Sequence, residues 1–281
     1  AMIKISDAEI LDYIGEDLPY FDLTTSIQGI RKNAALTILP REDVTVSCVD
    51  VAAGIARLLD CEAQICVPNS AVAAAKEPIV KISGSYDNVH KAWKLAQICL
   101  EYACRIATYA RAMNEAAKSV NPKCEILATR KSFPFAKKFC LKAVLEGGCG
   151  VHRLNLSDSV LFFKNHIKAY GSYEEFLAQI STFKAKAPER KIAVECEILD
   201  DCEALLKAGA DVVQCDKFTP GAVKRAVDLR DKIAPNAALV ASGGINLKNV
   251  REFASTGADA LVTSAMYTQG MADITAVLEI V

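Results

Sequence analysis

Over the second half of the chain, short apolar runs recur at a steady interval. They lie at 125–128, 160–163, 192–196, 211–215, 238–241 and 260–263. Between them the apolar positions take helical spacing, over 135–146, 173–186, 200–208, 220–234 and 247–255. Gly209, Pro235 and Gly257 stand where those helices should stop. Near-continuous apolar strands alternating with helices indicate a parallel sheet buried on both faces. The rhythm suits a barrel or an open doubly wound sheet, and the barrel is the favoured reading. Before residue 120 the pattern differs. Ser6-Asp7 precedes a helical stretch carrying Ile10, Leu11 and Ile14, strands are expected over 34–39 and 44–49, and helices over 52–61 and 88–120. A short helix is expected over 272–280. The expected organisation is therefore an N-terminal α+β, sandwich-like domain (1–112), an open, TIM-like α/β barrel (113–270), and a C-terminal helix (271–281) packing back on the first domain.

Composition narrows the class. Hydrophobic residues make up 52% of 281 and charged residues 24%, which excludes a disordered chain. With 33 Lys+Arg against 34 Asp+Glu, no overall field attracts nucleic acid or a membrane surface. An anionic substrate must then be held by local basic residues. No apolar run approaches the ~20 residues of a membrane helix, and the first residues lack the apolar core of a signal peptide, so a cytoplasmic protein is expected. The 11 cysteines contain no C-x-x-C pair. Cys61/Cys66, Cys99/Cys104 and Cys196/Cys202 are spaced like free thiols of an apolar core rather than a zinc site.

In α/β barrels catalytic groups collect at the C-terminal ends of the strands. Here those ends carry Thr129-Arg130-Lys131-Ser132, Glu195 and Glu197, Asp216-Lys217, Ser242-Gly243-Gly244, and Thr263-Ser264. Gly243-Gly244 leaves backbone N–H groups open to an anion, with Ser242, Thr263 and Ser264 as hydroxyl donors, although a plain turn explains S-G-G alone. Glu195 and Glu197 share one side of a strand, which in a barrel interior calls for cations or a metal. Asp216 would join them on sugar hydroxyls or Mg²⁺. Arg130, Lys131 and Arg153, beside His152 after a Gly-rich loop, suit carboxylates and phosphates.

These segments, in order, resemble the quinolinate phosphoribosyltransferase family, a type II phosphoribosyltransferase. The resemblance runs through Asp22-Leu23-Thr24-Thr25, Arg105-Ile106-Ala107-Thr108, Ala128-Thr129-Arg130-Lys131, His152-Arg153, Glu195-Cys196-Glu197, Cys215-Asp216-Lys217-Phe218 and Ser242-Gly243-Gly244-Ile245. It implies phosphoribosyl pyrophosphate as donor, a small acidic or heterocyclic acceptor, Mg²⁺ held by Glu195 and Asp216, and a homodimer or higher oligomer whose partner completes each site. Arg130, Arg153 and His152 would face the acceptor. Lys131, Glu195 and Asp216 would surround the donor, and Ser242, Gly243 and Gly244 its 5′-phosphate.

Three departures mark the chain. The family's acceptor-binding lysine falls on Phe163, with Lys164 one place off and, in a strand, on the other face. The family's Ser-Gly becomes Cys104-Arg105 and its preceding Glu-Arg pair Trp93-Lys94. Its Thr pair after Arg-Lys becomes Ser132-Phe133. Losing a lysine opposite a buried carboxylate disfavours quinolinate and favours a flatter, less charged acceptor. The pattern resembles the ModD branch, which implies a pyrophosphorylase linked to molybdate transport. The alternatives are a quinolinate enzyme of NAD biosynthesis with a relocated lysine, a lyase using Lys131 as Schiff-base nucleophile, and a non-catalytic binding protein of the molybdate system.

Overall fold

The computed structural model describes residues 3–281, so the first two residues of the expected 1–112 domain lie outside the described residues. The chain forms two compact units. The first comprises residues up to Arg111, with Ser132–Gly148 and Met266–Val281. The second comprises Ala112–Lys131 and Cys149–Ala265. The units thus depart from the expected 113–270 boundaries, because the segment over 132–148 and residues from Met266 on group with the first.

The first unit opens with helix α1 (Asp7–Asp17), fixed by a capping box in which Ser6 and Glu9 satisfy each other's backbone N–H. A short α2 (Leu23–Gln28) follows, capped by the Asp22 carboxylate. Its sheet contains β1 (Asn33–Pro40), β3 (Glu62–Ile65) and β5 (Val80–Ser85), in the order C-terminal strand, β1, β5, β3, antiparallel throughout. A separate small ribbon pairs β2 (Val44–Thr45) with β4 (Val72–Ala73). Ala34, Leu36 and Ile38 alternate inward along β1, as period two requires. Helix α3 (Val49–Leu58) packs on β3 and β5, and α1 packs on α3. The long α4 (Tyr86–Lys118) buries Val89, Ala92, Ala96, Ala103 and Ala107 at helical spacing, and α5 (Lys137–Glu146) completes the unit.

The C-terminal helix expected over 272–280 is a strand, Ile274–Ile280, paired antiparallel with β1 from Ala34↔Ile280 to Pro40↔Ile274. Ile274, Val277 and Leu278 have helical spacing. However, β-branched Ile274, Thr275, Val277 and Ile280 favour the extended state, and the free edge of β1 supplies its hydrogen bonds. After the four-residue α6 (Lys164–Ile167), the helix expected over 173–186 is two, α7 (Tyr173–Ala178) and α8 (Ile180–Lys186), meeting at Gln179. The strand expected over 44–49 stops at Thr45.

The second unit is a curled, seven-stranded, all-parallel sheet, open between its edges, with helices on its outside. Its strands are β6 (Glu125–Ala128), β7 (Gly150–Val151), β8 (Val160–Phe162), β9 (Ile192–Cys196), β10 (Val212–Asp216), β11 (Ala238–Ser242) and β12 (Ala260–Thr263), in the order β7-β6-β12-β11-β10-β9-β8. The strands fall where the apolar runs predict, apart from the two-residue β7. One face carries an apolar floor of Val240, Ala260 and Val262 with Leu127 and Val212. Toward the C-terminal strand ends the same face turns polar, with Glu195, Gln214, Asp216 and Ser242. Among the described residues no helix is long and apolar enough to cross a membrane.

Candidate functional site

Because every strand of the second unit runs the same way, their C-terminal ends share one rim, and it carries most of the expected site. Glu195 and Gln214 are register partners, and Nε2 of Gln214 donates to Oε2 of Glu195 at 2.8 Å. Asp216 lies two residues further along the same face, opposite Ser242, whose hydroxyl donates to its Oδ1 at 2.8 Å. Burial first, and then the neighbouring Asp216 carboxylate, raises the Glu195 pKa above its ordinary value. The two carboxyls stand on adjacent strands of one face and repel each other when both are ionised.

Glu197 belongs to a different environment. It is exposed and faces the ammonium groups of Lys164 at 3.1 Å and Lys217 at 3.7 Å, which lower its pKa, Lys164 most. Lys217 also meets Asp216 at 3.3 Å. Its backbone is left-handed, with φ 58°, and its N–H donates to the Ser242 carbonyl at 2.8 Å.

The turn after β11 is built for close approach. Gly243 and Gly244 have φ of 90° and 72°, which side chains other than glycine resist. A Cβ on Gly243 would meet the Lys217 amide nitrogen at 2.7 Å and Asp216 Oδ1 at 3.0 Å, whereas one on Gly244 would meet nothing within 4 Å. Gly243 is therefore fixed by packing and Gly244 borders open space. Thr263 Oγ1 donates to the Ile245 carbonyl at 2.6 Å and accepts from the Ala265 amide at 3.0 Å. Its hydroxyl thus braces the glycine turn, and Ser264 beside it is half-buried.

On the opposite side of the rim, Thr129 Oγ1 accepts from the Lys131 amide at 3.1 Å, and Arg130 and Lys131 are exposed. His152 continues from β7, its N–H donating to the Ala128 carbonyl at 3.0 Å. Burial, then the Arg153 cation, holds its imidazole below the ordinary value of 6.5. Arg153 is buried, its guanidinium 5.8 Å from the centre of the Phe163 ring. Burial and Arg130 depress its pKa, with Asp158 partly offsetting them. Two guanidinium groups held near one another are a ready receptor for an anion. Phe163 stacks on His166 at 5.8 Å, and Nδ1 of His166 accepts from the Phe163 amide at 3.0 Å. Lys164 turns to Glu197.

Lys94, Arg105 and Ser132 belong to the first unit. Lys94 lies 4.9 Å from the centre of the Trp93 ring. Arg105 pairs with Glu42 at 2.5 Å and donates to the Met271 carbonyl at 3.1 Å. Among the rim residues, sequence reasoning missed the roles of Gln214 and Lys217. A glutamine inside the apolar run 212–215, two places before Asp216, is the signal that would have found the first.

The chain matches two family models, the N-terminal domain of quinolinate phosphoribosyl transferase over residues 22–104 and its C-terminal domain over 106–275. It is 35% identical over 279 residues to a Pasteurella multocida protein named as the pyrophosphorylase ModD, covering 99% of both chains. A ModD of Rhodobacter capsulatus is 37% identical over 254 residues, covering 88% of this chain and 95% of that one. The crystal structure of nicotinate-nucleotide pyrophosphorylase from Ehrlichia chaffeensis superposes with a TM-score of 0.90 at 24% identity, over 99% of this chain and 100% of that one, which shows the shared fold. With both domain models matched in order and ModD proteins aligned along nearly its whole length, the chain belongs to the quinolinate phosphoribosyltransferase family.

Proposed function

We propose that this enzyme transfers the phosphoribosyl group of phosphoribosyl pyrophosphate to a planar heterocycle less acidic than quinolinate. The observation that carries the acceptor reading is Phe163. An aromatic ring stands where the family's lysine would, between the Arg153 guanidinium and the His166 ring, while Lys164 is engaged by Glu197. Beside the Arg130 and Arg153 guanidiniums, that wall offers a flat surface rather than a third cation. A dicarboxylate would lack the lysine's charge-assisted hydrogen bond there, a loss of roughly 1.5–3 kcal/mol.

In the proposed reaction an acceptor nitrogen attacks C1′ as the bond from C1′ to the pyrophosphate oxygen breaks, and pyrophosphate departs with the electron pair. The Gly243-Gly244 turn and Ser242 receive the 5′-phosphate, with backbone N–H groups as donors. Lys131 and Lys217 neutralise the leaving group. The Glu195 carboxylate stabilises the positive charge that develops on the ribose. Arg130 and Arg153 orient the acceptor, and no side-chain nucleophile is needed.

Magnesium is the cofactor the family implies, and the residues fit it. Glu195 and Asp216 offer carboxylate oxygens from adjacent strands, and Oε1 of Gln214 between them is buried with no hydrogen-bond partner among the described residues. These are hard oxygen donors of the kind Mg²⁺ takes. Bound there, the ion would add charge neutralisation at the donor's hydroxyls and pyrophosphate. We also infer a homodimer. Tyr20, Phe21, Leu23 and Ile27, exposed in succession on the first unit, support self-association.

Titration calorimetry with phosphoribosyl pyrophosphate and Mg²⁺ should give saturable binding that Lys131→Ala or Asp216→Ala abolishes. Absence of binding to the parent chain would refute the reading. Release of nicotinate mononucleotide and CO₂ from quinolinate would instead establish the quinolinate enzyme. Molybdate binding without pyrophosphate release from any acceptor would establish a binding protein.

A further inference from the structure

On the face of the second unit's sheet away from Glu195 and Asp216 lies a cluster that the proposed reaction does not use. Cys196 ends β9 and Cys215 sits next to the end of β10, and the two are register partners on adjacent parallel strands. Helix α9 (Leu199–Lys207) follows β9 and returns Cys202 to the same point. The three Sγ atoms lie within 4.8 Å of one another. Exposure is 4% at Cys196 and 0% at Cys202 and Cys215. Buried cysteines are common as small apolar residues, and ten of the eleven here are buried. Among the described residues only these three converge in this way.

We propose that Cys196, Cys202 and Cys215 form a binding site for a soft, thiophilic metal ion of low coordination number, with Cu(I) the best match. Three sulfurs in a plane about 2.3 Å from a central ion stand about 4.0 Å apart, inside the separation the fold imposes. Structural zinc calls for four ligands. The group contains no fourth His, Cys, Asp or Glu among the described residues, whereas thiolates select Cu(I) by softness without that requirement. On loading, sulfur–metal bonds replace the S–H bonds and the protons pass to solvent, with no change of oxidation state. The ion would tie β9, α9 and β10 together behind Glu195, Glu197 and Asp216, so its occupancy would set how firmly those carboxylates are held.

The test uses the reduced full chain with its one exposed cysteine removed, Cys66→Ser. Anaerobic titration with Cu(I) against a chromophoric chelator should show one tightly held ion per chain and a raised Tm. X-ray absorption should show three sulfur neighbours and no nitrogen or oxygen. Cys202→Ala and Cys215→Val should each weaken binding by at least about a hundredfold, because each removes one thiolate of three, and even partners outside the ligand set are worth up to that much. Affinity unchanged in both variants, no competition with the chelator, a mixed sulfur and nitrogen shell, or retention of Zn(II) in preference to Cu(I) would each overturn the assignment. If a variant fails to fold, the absorption spectrum of the parent decides alone.

Discussion

The glycine pair after β11 separates packing from ligand binding in one experiment. Gly243→Ala and Gly244→Ala both place a side chain at positive φ, 90° and 72°, which costs roughly 1–2 kcal/mol. Only the first adds a collision. Its Cβ would approach the Lys217 amide nitrogen to 2.7 Å and Lys217 Cγ to 2.9 Å. The amide cannot yield easily, because it donates to the Ser242 carbonyl at 2.8 Å and its own residue is left-handed. Backbone displacement of this kind adds roughly 1–3 kcal/mol. Urea denaturation should therefore show Gly244→Ala less stable by about 1 kcal/mol and Gly243→Ala by about 3 kcal/mol. Affinity for phosphoribosyl pyrophosphate should behave differently. The new methyl of Gly244→Ala projects into the open space assigned to the 5′-phosphate, so binding should weaken at least about tenfold despite the small stability loss, a difference of about 1.4 kcal/mol. Unchanged affinity in Gly244→Ala, with the chain folded, would refute the turn as a phosphate cradle. Equal stability losses would refute the packing argument.

Three further changes probe separate parts of the molecule. Lys142, buried at 1% side-chain exposure, pairs with Glu146 at 2.8 Å and Asp50 at 3.1 Å. Lys142→Met should cost about 3 kcal/mol, the low end for a broken buried pair, since Ser47 and Cys48 still donate to Glu146; a loss below about 1 kcal/mol in urea would contradict it. His152 titrates below 6.5 in the fold, so unfolding takes up a proton on acidification. The stability contributed by its neutral form is present above 6.5 and lost as pH falls through the depressed folded value. His152→Asn should flatten the decline between about pH 7 and 5, and parallel stability–pH curves would count against burial of a neutral imidazole. Phe163→Lys should raise quinolinate affinity about tenfold to a hundredfold, the worth of one charge-assisted hydrogen bond of roughly 1.5–3 kcal/mol; no gain by calorimetry would mean that this position does not face the acceptor.

The second unit was legible because its strands are largely buried on both faces and so read as near-continuous apolar runs, as at Ala238–Ser242 and Ala260–Thr263. The first unit was less so. Strand β3 is exposed along its length, and β5 alternates only over 80–83 before Gly84 and Ser85, so neither reads as a long apolar run. The C-terminal strand failed for a sharper reason. Its spacing of Ile274, Val277 and Leu278 satisfies a helix, and the deciding element is the hydrogen-bonding edge of β1, some 240 residues earlier in the chain.

At the rim, parallel topology alone converts position in sequence into position in space, since each strand delivers its last residues to one edge. That is why Glu195, Asp216, Ser242 and the glycine turn could be named without coordinates. Nothing comparable acts on the thiols. Cys196 and Cys202 carry no recognisable ligand spacing, and Cys215 reaches them only through the β9–β10 register, in which Cys215 falls opposite Cys196. A slip of one residue in that register would move Cys215 to the interior face and Gln214 away from Glu195 together. The carboxylate side of the sheet and the thiol side are therefore set by the same pairing. A ligand that stiffens one should be felt on the other, and Cu(I) loading should alter affinity for phosphoribosyl pyrophosphate. Calorimetry on the metal-free and loaded chains would measure that coupling, and identical affinities would show the two faces to be energetically independent.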